Sequence, residues 1–71
     1  MNIYARDGDL IIFNHPNAGY DPDQKKAREL LTIDSIYTVE RTEVDSWHTN
    51  VYLKEFPGEV FNSVLFDDVL P

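Results

Sequence analysis

The lack of cysteine in a chain of only 71 residues narrows its routes to a stable fold. One core of this size supplies only about 3–5 kcal/mol unless a disulfide, a metal or a partner adds to it. Without cysteine there is no disulfide, and the thiolate-rich zinc sites that staple many small domains are excluded too. Aromatic packing and oligomerisation remain. Four Phe, four Tyr and one Trp fit the first route, since each buried ring removes about 150–250 Å² from water. The expectation is one domain over residues 1–71, as a monomer or a weak homodimer.

Thirteen acidic and six basic side chains give a net charge of −7, a field that repels phosphate backbones and anionic lipid. Duplex nucleic acid and membranes are therefore disfavoured as partners. The acids are scattered, and a 42% hydrophobic content argues against disorder. The opening "MNIYARDGDL" shows no signal-peptide pattern, and no apolar run approaches the roughly 20 residues that span a bilayer. A cytoplasmic protein is expected.

"LIIF", Leu10 to Phe13, is a short apolar run bounded by turn residues, which suits a central strand covered on both faces. After the irregular "NHPNAGY", the stretch "DPDQKKARELL" predicts a helix: Asp21 as N-cap, Pro22 at the first position, Gln24 closing a capping box, and Ala27, Leu30 and Leu31 as the docking face. From Ile33 the period changes to two. "SIYTVERTEV" places Tyr37, Val39 and Arg41 on one face of a strand and Thr42 and Val44 on the other.

"DSWH" turns the chain into "TNVYLKEF", with Val51 and Leu53 opposite Tyr52 and Lys54, which predicts a hairpin. Pro57-Gly58 fits the centre of a type II turn. Val60-Phe61 and Val64 to Phe66 supply the last strands with a kink at Asn62-Ser63, and Val69 and Leu70 close the chain. Four to five strands are too few for a sandwich, whereas curling them into a barrel removes their edges. The fold class expected is mainly β, α+β by content: a small antiparallel SH3-like barrel with one short helix inserted after the first strand.

"LLTIDSIYTVERTEV" resembles the L-x-x-G-x-x-Y-x-V opening of a strand pair in SH3-like barrels, with Asp34-Ser35 where glycine is expected. With "HPNAGY", "SWHT", "VYLKEFPG" and "FNSVLF", the stretch from Asn14 to Val69 resembles a group of short bacterial and phage proteins of that fold. The resemblance implies the barrel and a phage or mobile-element setting, and carries no activity with it. The peptide-binding motif of eukaryotic signalling SH3 domains is absent, so proline-rich ligands do not follow.

Little in the sequence supports catalysis. His15 and His48 are the only imidazoles, and neither lies in a metal-binding spacing such as H-x-x-x-H. Ser35, Ser46 and Ser63 have no G-x-S-x-G elbow, and phosphate-cradling glycine loops are missing. No enzyme, metal or cofactor is expected. The candidate binding residues are Trp47, His48, Tyr20, Tyr52, His15 and Asn17, each with a plainer structural role to weigh against it. For Trp47 the expectation is a ring folded back as a lid on the core. Asn17 is expected to satisfy loop backbone, and the rings of Tyr20 and Tyr52 to lie half buried. Lys25, Lys26 and Arg28 form a solvated helix face that could meet an acidic partner or a phosphate.

The function these residues fit best is a non-catalytic protein-interaction module, such as a small phage regulator or inhibitor. The alternatives are an acidic mimic of nucleic acid and a small barrel that associates with single strands.

Overall fold

The computed structural model describes residues 1–69, so the expectation for Leu70 falls outside the described residues. Five strands form one antiparallel sheet: β1 (Leu10–Phe13), β2 (Ile36–Val44), β3 (Thr49–Leu53), β4 (Phe61–Asn62) and β5 (Phe66–Asp68), in the order β4-β3-β2-β1-β5. Helix α1 (Asp21–Leu30) follows β1, and a single 3-10 turn, Ser63–Leu65, joins β4 to β5.

That turn dictates the shape. β4 and β5 are the two outermost strands, and in a flat sheet four interstrand spacings would hold them about 19 Å apart. Asn62 and Phe66 are four residues apart, and a 3-10 turn rises only about 2 Å per residue. The sheet has to curl until β4 and β5 approach each other, which gives the expected small barrel-like shape, although among the described residues no ladder joins these two strands. Both margins are then covered. The Lys26 ammonium donates to the Val60 carbonyl at 2.9 Å, and Asn62 Nδ2 to Asp23 Oδ2 at 3.3 Å, so α1 lies along β4. On β5, the Met1 amino group donates to the Phe66 carbonyl at 3.0 Å, and the Asn2 amide to the Asp68 carboxylate. Strand margins left open would template pairing with another chain.

Five rings cross the interior in series. Tyr37 meets Phe56 at 6.0 Å between centroids, Phe56 meets Phe61 at 6.2 Å, Phe61 meets Phe66 at 6.3 Å, and Phe66 meets Phe13 at 5.9 Å. Their tilted and edge-on geometries are those the ring quadrupoles favour. Ile11, Val39, Val51, Leu53 and Leu65 complete the core without solvent exposure. Aromatic packing thus provides what disulfides cannot.

Several local expectations need correction. β1 alternates, with Ile11 and Phe13 buried while Leu10 stays exposed, because only one face of a curled sheet points inward. The middle strand of the sheet is β2, which pairs through Ile36–Thr38 with β1 and from Val39 onward with β3. Its register slips between Val39 and Arg41, leaving Glu40 as the extra residue. A bulge reverses the alternation beyond it, so Arg41 turns outward although the strict period of two assigns it inward. Val64 and Leu65 belong to the 3-10 turn instead of a strand.

The helix begins one residue earlier than expected. Tyr20 is the N-cap and makes no side-chain cap bond, while Gln24 reaches back to the carbonyls of Asn17 and Gly19 at 3.0 and 2.9 Å. Ala27 and Leu31 are buried, whereas Leu30 remains exposed. The turn at Pro57-Gly58 forms as expected, with Gly58 at φ +82° and the Glu59 amide donating to the Phe56 carbonyl.

Asp34, at the glycine position of the L-x-x-G-x-x-Y-x-V pattern, has φ +66° and is the third residue of a turn closed by the Ser35 amide on the Thr32 carbonyl. Aspartate tolerates this left-handed conformation better than most residues, but still at a cost. Asp34→Gly should raise unfolding free energy by about 0.5–1 kcal/mol, the strain relieved less the added chain entropy. Chemical denaturation measures this; a loss of stability would refute it.

Candidate functional site

Hairpin β2–β3 carries the most unusual surface of the molecule. Its strands pair as far as Val44 and Thr49, and the Asp45 amide donates to the His48 carbonyl at 2.9 Å, which closes the turn. Asp45 Oδ1 accepts from the Ser46 amide at 2.7 Å. The turn is therefore held by its own backbone, and Trp47 at its tip is 90% exposed. The expected lid does not form: a turn closed so tightly directs the indole away from the barrel. Val44, beside the tip, is exposed as well.

The outward wall of the same hairpin holds a polar cluster. Arg41 and Tyr52 face each other across the strands, as do Glu43 and Asn50. The Arg41 guanidinium lies 3.8 Å above the centre of the Tyr52 ring, and its Nη1 is 3.3 Å from Glu43 Oε2. The Tyr52 hydroxyl donates to Glu43 Oε1. This bond holds the Glu43 carboxyl below the usual range, with Arg41 adding to the effect, and raises the Tyr52 phenol above its own. The half-burial expected for Tyr52 is found, but its hydroxyl is engaged by Glu43.

The remaining candidates lie on the loop after β1. The His15 amide donates to the Leu65 carbonyl, and His15 Nε2 is 3.0 Å from Asp67 Oδ1. Asn14 Nδ2 donates to Asp67 Oδ2 at 2.8 Å, and this bond, then that from His15, lowers the Asp67 pKa. Asn17 does not bond the loop backbone with its side chain as expected: its Oδ1 accepts from Arg28 and its carbonyl from the Gln24 side chain, so it ties the loop to α1. Tyr20 is 66% exposed, more than the half-burial expected. Gly19, at φ +79°, lies so close to the 3-10 turn that a Cβ there would meet Val64 Cγ2 at 3.0 Å.

The structure thus places Trp47, His48 and Tyr52 on one hairpin, and His15, Asn17 and Tyr20 on one loop. Among the described residues no set of three His, Cys, Asp or Glu side chains could hold a metal ion. The helix face is not a free basic patch. Lys26 pairs with Glu59 at 2.9 Å and lies 5.4 Å from the Phe61 ring centroid, Arg28 donates to Asn17, and Lys25 is exposed. Sequence reasoning missed the roles of Arg41 and Glu43. The spacing R-x-E opposite a tyrosine is visible in the chain, but the bulge that turns both side chains outward is not.

These features define a small curled antiparallel β domain whose most exposed large hydrophobic residue, Trp47, stands at the tip of a hairpin. The profile of the family described as Bacteriophage T4 protein Y07B matches residues 2–70, and the chain belongs to that phage family. No curated protein and no solved structure matches it. Among the described residues no helix is long and apolar enough to cross a membrane.

Proposed function

We propose that this phage protein is a non-catalytic interaction module, a regulator or inhibitor that grips another protein with the tip of hairpin β2–β3. The observation that carries the reading is the 90% exposure of Trp47 on a turn closed by its own backbone. A wet indole is costly to leave in water, and tryptophan is among the residues that most often anchor protein interfaces. A tip that is already ordered loses little entropy on docking. The 3-10 turn between the last two strands and the long loop after the first support an SH3-like description of the barrel. The engagement of Lys26 and Arg28 within the fold favours a protein partner over nucleic acid.

The test is affinity capture from a phage-infected host, followed by binding measurements with the purified partner. Trp47→Ala should weaken that binding about 30-fold or more, the range of an interface anchor, while stability changes by less than about 0.5 kcal/mol. Unchanged affinity for the same partner would refute the reading.

A further inference from the structure

The hairpin holds one completed recognition unit and the elements of a second. In the completed unit an aromatic face (Tyr52) and a carboxylate (Glu43) enclose a guanidinium (Arg41), with the cation 3.8 Å above the ring and 3.3 Å from the acid. At the tip, two and four residues beyond Glu43, stand another carboxylate and another aromatic, Asp45 and Trp47. Their Cα atoms can be no more than about 7 Å apart. From Glu43 to Asn50 the chain has two carboxylates and neither lysine nor arginine. Arg41, the nearest cation along the strand, is taken by Tyr52 and Glu43, and Lys54 pairs with Asp7. Asp45 uses one oxygen on the Ser46 amide.

We infer that Trp47 and Asp45 together bind an arginine or lysine side chain of a basic protein segment, with the cation over the indole and its N–H groups on the Asp45 carboxylate. The inference rests on the proposed docking of the hairpin tip and specifies the chemistry of what it docks on. Three features agree on a cationic partner. Indole is the strongest of the side-chain cation–π acceptors, a carboxylate lies two residues away on the same closed turn, and the net charge of −7 attracts basic segments to the protein as a whole. A purely apolar slot would gain nothing from Asp45 and would have to desolvate it.

Trp47 is the only tryptophan, so its fluorescence reports on the surroundings of this position alone. The probe is a capped hexapeptide of alternating glycine and arginine, and its control carries the isosteric but neutral citrulline. The arginine peptide should shift the emission saturably and the citrulline peptide should not. Asp45→Asn should weaken binding about threefold or more, as expected for loss of one charge contact at an exposed site. Asp34→Asn, which removes the same charge at a distant turn, should weaken it less. Equal losses in the two variants would mean attraction by overall charge alone, and silence toward the arginine peptide would mean no cation site; either overturns the inference. Equal binding of citrulline would overturn it too, while leaving the docking of Trp47 intact. Loss of the captured partner by Trp47→Ala tests that docking separately.

Discussion

Phe66→Ala should leave the chain largely unfolded at room temperature. Phe66 is 1% exposed and lies in the series of rings, tilted on Phe13 at 5.9 Å and edge-on to Phe61 at 6.3 Å. It is also the first residue of β5, pairs with Phe13 of β1, and its carbonyl accepts the Met1 amino group. Truncating a buried phenylalanine to alanine costs about 3–5 kcal/mol. A single core of this size supplies about the same amount when no disulfide or metal adds to it. The two nearly cancel, so the far-ultraviolet dichroism of the variant should show no cooperative thermal transition above about 25 °C, a direct consequence of this balance. Phe66→Leu keeps most of the volume and should fold with a smaller loss. A cooperative melt of Phe66→Ala within a few degrees of the parent would contradict this account of the core.

Gly19→Ala should be the second most damaging of these changes, at a site with no buried side chain. Its φ of +79° is strained for any residue with a Cβ, which costs about 1–2 kcal/mol. The added methyl would also press on Val64 Cγ2 at 3.0 Å, so the loop must lift from the 3-10 turn or Val64 must move. Gly8 separates the two contributions. Its φ is +93°, yet a Cβ there meets nothing within 4 Å, so Gly8→Ala should show the backbone cost alone. In urea titrations Gly19→Ala should lose more stability than Gly8→Ala. Adding Val64→Ala to Gly19→Ala should recover part of the excess, a coupling expected only of residues in contact. Equal losses at the two glycines would show that the loop does not press on the turn.

How much could be read from the chain differs by element. The hairpin, the Pro57-Gly58 turn and the helix after the first strand were legible because each depends on local signals: alternation, a φ-fixing pair, and a proline beside acidic residues. The curling of the sheet was legible only by elimination, since five short strands laid flat would leave their margins open. The bulge at Glu40 was not. It follows from fitting β2 against both β1 and β3, and nothing in "VERTEV" marks which residue will be extra. The candidate site depended on that bulge, because it exposes Arg41 and Glu43 beside Tyr52. Trp47 was legible as a tip residue but not in its direction, which the closed turn decides. Asp34 shows the reverse case: a departure from the sequence pattern keeps the backbone conformation that the pattern requires.

The pairing of Phe13 with Phe66 also governs how the protein is made. Translation at about 5–20 residues per second puts several seconds between the first of these residues and the second. Throughout that interval β1 has been synthesised while the strand that flanks it on one side does not yet exist. Until then "LIIF" has no strand to pair with along the margin that β5 covers in the finished sheet. The pairing of β1 with β5, and with it the complete curled sheet, can form only after β5 has been synthesised.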